Sequence, residues 1–325
     1  MDEFDSIARL FAPLAEGAPE SLGLADDAAL IPSRPGYELV ITKDAIVEGV
    51  HFLRGDPPDM VARKLLRVNL SDLAAKGAVP YGYFLAVAWP AHWDRDARAA
   101  FAAGLALDQA GFGVRLFGGD TVSTPGPMTA SLTMLGWVEA GTMVRRSGAR
   151  PGQTLLVTGA IGDGGLGLRA ARGELKGLGP AEVEALTARY RVPEPRLGLR
   201  EALVANAGAA LDISDGLIAD VIHLEEASGV AVQIDLDRLP LSPGAKAWIA
   251  TQPDRVAALA DLATAGDDYE LAIACDVGAA PALAVAAAQA GFALTPIGRI
   301  SEGQGTLVLH RGVPVLMTKT GWVHS

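Results

Sequence analysis

The chain has 325 residues, which is long for one hydrophobic core and comfortable for two domains of about 150 residues each. Hydrophobic residues make up 50% and charged residues 20%, a balance that excludes a disordered chain. The net charge of −11, with no lysine- or arginine-rich run, argues against nucleic acid or an anionic membrane as the main partner.

The N-terminal stretch "MDEFDSIARLFAPLAEG" is acidic and amphipathic rather than basic and then apolar, so it does not read as a signal peptide. Strands are expected at "ELVIT", "YGYFLAVAWP", "VRLFG" and "MTASLTMLGWV", with helices near 58–77 and 94–111. On the first helix, Val61, Leu65, Val68 and Asp72 fall on one stripe. A buried, unpaired carboxylate there would cost several kcal/mol, roughly, so Asp72 needs either a cationic partner or a place at the edge of a cleft. "RRSGARPGQ" punctuates the chain ahead of the strand "TLLVTG" and sets a domain boundary near residue 145, giving domains 1–145 and 146–325.

In the second half, helices are expected around 180–190, 196–207 and 278–290, and a strand-turn-helix at "ALDISDGLIADVIHLEEAS". Further strands are read at "VAVQIDL" and "YELAIAC", and a hairpin at "TLVLHRGVPVLMT". Strands and helices alternate irregularly, which points to a mixed α/β (α+β) protein rather than a purely doubly wound sheet. Cys275 is the single cysteine and lies in an apolar run, so it reads as a core residue in a reducing cytoplasm. "PALAVAAAQAGFA" is too short and too weakly hydrophobic to span a bilayer.

The acidic residues beside Gly, Ser or another Asp read as turn residues clustered at strand ends: Asp26, Asp27, Asp44, Asp120, Asp212, Asp215, Asp267 and Asp268, joined by Asp72 on its helix. Each alone is an ordinary cap or turn residue. Together with the hydroxyls of Thr42, Thr121 and Ser214 they form a set of hard oxygen ligands suited to Mg²⁺, whose remaining ligands are usually water and phosphate. A nucleotide is the natural companion, and bound metal would convert an acidic cleft into a phosphate site. The chain contains no Gly-Lys pair, so there is no P-loop, and no kinase H-R-D or D-F-G set. "GDGGLG" matches G-x-G-x-x-G at Gly162, Gly164 and Gly167, but the acidic residue closing a second strand about 20 residues on is missing. It reads as a turn closing onto a helix N-terminus, still able to touch phosphate.

The ordered set "GLADDAAL", "KDAIVEGVHF", "NLSDLAAKGA", "FGGDT", "RRSGARPG", "LDISDGL" and "GDDYEL" resembles the thiamine-monophosphate kinase family, from about residue 4 to Trp322. That family belongs to a larger group of ATP-using proteins with aminoimidazole ribonucleotide synthetase, selenophosphate synthetase and a hydrogenase maturation protein. The resemblance implies a two-domain synthetase-like fold that dimerises through its N-terminal sheet, with ATP and Mg²⁺ in a cleft between the domains. The implied reaction moves the ATP γ-phosphoryl group to thiamine monophosphate. Matching positions imply that Asp27, Thr42, Asp44, Asp72, Asp120, Asp212 and Asp215 hold magnesium. They imply that Gly119, Asp120, Arg146 and Ser214 face the nucleotide, and that His51, Asp267 and Trp322 face the thiamine end. Two departures stand out: Lys43 replaces a hydroxyl residue before Asp44, and Asp267 replaces a glutamate. A synthetase with another acceptor remains an alternative, as does a non-catalytic nucleotide-binding subunit in which Lys43 fills a metal position.

Overall fold

The computed structural model describes residues 7–322; the first six residues, where the expected amphipathic segment begins, and the last three lie outside the described part. The chain divides into two compact units, one running to Leu73 and resuming over Ala78–Thr142, the other made of Ala74–Gly77 and the chain from Met143.

The N-terminal unit is built on four strands, β1 (Tyr37–Val47), β2 (Val79–Trp89), β3 (Leu116–Ser123) and β4 (Thr129–Glu139), in the order β1-β4-β2-β3. Two helices accompany them, α1 (Pro58–Ala75) and α2 (Arg95–Phe112). β2 and β3 are parallel, and α2 is the crossover that a parallel pair requires. Strand alternation sorts the sheet into two faces: Val40 and Ile46 of β1 and Leu85 and Val87 of β2 are buried, whereas Leu39, Ile41 and Val122 are exposed. α2 begins and ends on local chemistry. Asp94 caps α2 by accepting from Ala97 N, and Gly113 closes it in the left-handed region. Asp108 on α2 takes Arg63 Nε at 3.1 Å and Arg67 Nε at 2.6 Å from α1. At their crossing, a Cβ on Gly104 would stand 2.2 Å from Asp59 O, so only glycine lets the backbones meet.

The C-terminal unit carries seven strands: β5 (Thr154–Thr158), β6 (Ala207–Asp212), β7 (Ala231–Asp235), β8 (Leu271–Cys275), β9 (Leu294–Ser301), β10 (Gly305–His310) and β11 (Val313–Pro314). Their order is β11-β10-β7-β9-β5-β8-β6, antiparallel except for β10 beside β7. Helices α3 (Asp163–Ala171), α4 (Pro180–Arg191), α5 (Arg200–Asn206), α6 (Leu217–Ser228), α7 (Pro243–Ala250), α8 (Arg255–Ala263) and α9 (Ala280–Gln289) cover it. Leu155, Val157, Ile218, Val221, Leu224 and Ile234 are among the core residues. Cys275 is fully buried.

Three elements carry weak signals in the sequence. β9 contains Pro296 and Gly298 and pairs with β5 through a register shift, so its alternation is broken. α7 and α8 have only eight and nine residues, too short for a clear helical period. Among the described residues no helix is long and apolar enough to cross a membrane.

Candidate functional site

The first group of site residues lies between β1 and α1. Alternation along β1 sends Thr42 and Asp44 to the helix-packed face, and Thr42 Oγ1 donates to Asp72 Oδ2. Asn69, one turn before Asp72 on α1, accepts from Asp44 N at 3.2 Å. Val61, Leu65 and Val68 are buried while Asp72 is half-buried, so the apolar stripe ends at this carboxylate. Burial, and then the neighbouring charge and hydrogen bond of Asp72, push the Asp44 carboxyl up to about 7. Lys43 is exposed on the opposite face, because successive strand residues alternate, and so does not fill a cation position beside Asp44.

A second group surrounds a cavity of about 360 Å³ in the same unit, lined by Asp26, Asp27, Gly118, Gly119 and Asp120, with Phe84 and Phe117 among its apolar walls. Gly119 is required by the sheet: a Cβ there would stand 1.9 Å from Leu85 O of the neighbouring strand. The turn placement expected for Asp44 and Asp120 is corrected. Both sit inside strands, β1 and β3, because the ladder pairing with β4 and β2 continues through the polar motif residues. Asp120 lies opposite Ala86 in the β2–β3 register, whereas Thr121 points the other way and accepts from Trp89 Nε1 at 2.8 Å.

His51 follows β1 in a tight turn. Its Nδ1 accepts from Val47 N at 3.0 Å, and the buried Lys64 donates to its carbonyl at 3.0 Å. Nearby, the buried Glu48 takes Trp93 Nε1 at 3.2 Å and Met128 N at 3.3 Å, which fixes the start of the turn.

The third group belongs to the C-terminal unit. Asp212 ends β6, and the turn that follows is folded by Asp220: its Oδ2 accepts from both Ser214 N and Asp215 N at 3.0 Å. Arg146 is exposed and close enough for its charge to act on Asp220. Asp267 N donates to Ser214 O at 2.8 Å, and Trp322 N donates to Asp215 O at 2.8 Å, leaving the indole half-exposed. Thus Ser214, Asp215, Asp267 and Trp322 are joined by backbone bonds in one strap.

Among the described residues no three His, Cys, Asp or Glu side chains converge as a ready metal-binding group. The carboxylates come instead in small sets within each unit. That pattern still fits a hard cation such as Mg²⁺, which takes one or two carboxylates and keeps water and phosphate. The donor set of Thr42, Asp44 and Asp72 is all oxygen, and no lysine or arginine pairs with either carboxylate among the described residues.

Residues 25–138 match the family model for the AIR synthase related protein N-terminal domain, and residues 150–310 match its C-terminal domain. A thiamine-monophosphate kinase from Caulobacter vibrioides is 54% identical over 99% of this chain and 91% of its own length. The chain belongs to the thiamine-monophosphate kinase family. A crystal structure of such a kinase from Stenotrophomonas maltophilia K279a superposes with a TM-score of 0.84 at 37% identity, covering 97% of this chain and 98% of that one. A second solved structure, AaThiL complexed with AMPPCP and TMP, gives 0.79 at 29% identity over 90% and 89%.

Within this thiamine-monophosphate kinase family member, three positioning side chains escaped the reading of the sequence. Asn69 and Asp220 lie inside quoted helical stretches, where a polar residue on a buried face was the available signal. Asp268 was grouped with Asp267, although it points into the protein and is only 1% exposed.

Proposed function

We propose that this chain transfers the γ-phosphoryl group of ATP directly to the phosphate of thiamine monophosphate, giving thiamine diphosphate and ADP with Mg²⁺ bound. The observation that carries the reading is the all-oxygen set of Thr42, Asp44 and Asp72, present in a chain whose full length matches thiamine-monophosphate kinases. The ATP analogue and TMP in the related solved structure support the same pair of substrates.

The acceptor is an anionic phosphate oxygen, so no general base has to remove a proton. The barrier is repulsion between two polyanions, and catalysis of phosphoryl transfer is mostly positioning and charge stabilisation. Bound magnesium would neutralise phosphate charge, with Asp27, Thr42, Asp44, Asp72, Asp120, Asp212 and Asp215 as its protein ligands. Gly119 keeps side-chain bulk out of the β2–β3 contact at the cavity, and Arg146 offers a fork of donors to phosphate. Ser214 joins it on the nucleotide, while His51, Asp267 and Trp322 take the thiamine end. A non-catalytic reading drew its force from Lys43, whose side chain lies on the far face of β1. The same reading makes the enzyme a cytoplasmic homodimer, associating through the outward face of the N-terminal sheet where Leu39 and Ile41 are exposed.

The test is ADP release by the purified protein with ATP and Mg²⁺, with and without thiamine monophosphate, with the product identified by mass. Thiamine diphosphate formed only when both substrates and metal are present is the expected result. Asp72→Asn should lose turnover by at least about a hundredfold while keeping its melting temperature, as expected for a charge used mainly in the transition state. Nucleotide binding without turnover in the wild type would overturn the assignment.

A further inference from the structure

The Gly162–Gly164 turn has the form of an anion nest at the start of α3, yet its amides already hold a side-chain carboxyl of the chain itself. Asp268 accepts from Gly162 N at 2.7 Å through one carboxylate oxygen and from Gly164 N at 2.9 Å through the other. This is why the turn is not the phosphate loop its glycines suggest: the chain's own buried carboxylate occupies it.

What Asp268 holds in place is the segment around it. Residues 267–270 run antiparallel to 213–214 and prolong the β6–β8 pairing: Ile213 N donates to Glu270 O, Tyr269 N to Ile213 O, and Asp267 N to Ser214 O, each at 2.8 Å. Along this run Asp267 and Tyr269 adopt φ of +68° and +50°. A left-handed backbone costs a non-glycine residue roughly 1–2 kcal/mol, so the surroundings must impose it. They do so by backbone contact on two sides. A Cβ on Gly164 would lie 2.3 Å from the Asp267 carbonyl, and one on Gly266 would lie 2.6 Å from Ser214 O. The far end is pinned by Glu270, which is 1% exposed and takes Arg189 at 2.9 Å, Arg196 Nε at 2.6 Å and Thr158 Oγ1 at 2.6 Å.

We infer that Asp268 is a positioning residue for the acceptor substrate: by clamping the Gly162–Gly164 turn it fixes the left-handed backbone that aims Asp267, and with it the backbone-bonded turn of Ser214 and Asp215. The inference rests on the proposed placement of Asp267 at the thiamine end. Asp268 itself touches no substrate; it acts through the backbone on either side.

The experiment uses Asp268→Asn in the full-length protein, with steady-state kinetics in both substrates and amide hydrogen exchange read over residues 264–269. Asparagine keeps one acceptor and turns the other into a donor facing an N–H. Exchange in that segment should accelerate about tenfold, the cost of one net hydrogen bond, and KM for thiamine monophosphate should rise by a similar factor. KM for ATP should stay within about twofold. If Asp268→Asn does not fold, Gly164→Ala, which presses directly on the Asp267 carbonyl, should give the same selective rise. A lowered melting temperature with unchanged kinetic constants, or equal losses for both substrates, would leave Asp268 a merely structural residue and overturn the inference. Unchanged exchange would overturn it as well. If the wild type forms no ADP with thiamine monophosphate, the acceptor assignment fails on its own, and the exchange measurement still decides whether the clamp exists.

Discussion

Asp220 serves two consecutive amides, Ser214 N and Asp215 N, with one oxygen, and it is 4% exposed. Burial outweighs those hydrogen bonds and pushes its carboxyl from its ordinary 3.8 up to about 7. A raised carboxyl keeps its proton in the folded chain over a range where the unfolded chain has lost it. Its contribution to stability therefore falls as pH rises from about 4 to about 7, and is level above that. Asp220→Asn keeps an oxygen for both amides and removes the titration, so its melting temperature should fall less than that of the wild type between pH 5 and pH 8. Asp220→Ala leaves two amides without this acceptor and should cost about 2 kcal/mol near pH 4, where the proton is held, with the cost shrinking as pH rises to about 7, measured by denaturant unfolding. An Asn variant with the full wild-type slope would show that other groups set the pH dependence. Legibility in the sequence follows the same physics. Asp72 is conspicuous because it interrupts an apolar stripe; Asp220 likewise stands as a polar residue on a buried helix face, but the sequence does not show that it serves a turn five residues back.

At the scale of elements, the strands with regular alternation could be read from sequence, including β1, β2 and β4, and so could α1 and α2 with their long amphipathic faces. What sequence reading misplaced were ends. The polar "GGDT" looked like a turn after a strand, yet β3 continues through it because its pairing with β2 runs from Tyr83–Leu116 to Trp89–Ser123. Backbone hydrogen bonds across the ladder outweigh the low strand propensity of Gly and Asp. The glycines in these elements differ in kind, and the difference is measurable. Gly119→Ala places a methyl 1.9 Å from Leu85 O, so β2 and β3 must part; about 1–3 kcal/mol of stability should be lost, and KM for ATP should rise because Gly119 lines the cavity. Gly111, inside α2 with nothing within 4 Å of a new Cβ, should behave oppositely: Gly111→Ala should stabilise by about 0.5–1 kcal/mol. Equal effects from the two substitutions, read in parallel thermal melts, would mean that the β2–β3 contact relaxes without cost.

For the whole molecule, the outward face of the N-terminal sheet remains to be accounted for. Ile41 is 58% exposed and Leu39 36%, on β1 at one edge of the sheet, and Val122 is 51% exposed on β3 at the other. Leu135 and Trp137 of β4, in register with Ile41 and Leu39, are only 3% and 7% exposed, so the open apolar surface lies on the β1 and β3 edges. Burying a side chain such as isoleucine stabilises by about 1.5–3 kcal/mol, and packing against a second copy of the face is how the proposed dimer would gain it. A two-fold pairing of identical faces closes on itself and leaves no open edge for further growth. Light scattering at micromolar concentration should therefore give about twice the 33.5 kDa chain mass. Ile41→Glu should shift this to a monomer, because it would set two carboxylates into a desolvated interface, while a charge reversal at exposed Arg150 in the other unit should not. Lys43 shares this outward face with Ile41, so in the proposed dimer its ammonium would act on association rather than on the Asp44–Asp72 pair. Lys43→Thr should then alter the dissociation constant of the dimer by more than it alters kcat. A change confined to kcat would return Lys43 to the metal site, and a wild-type monomer at tens of micromolar would remove the interface altogether.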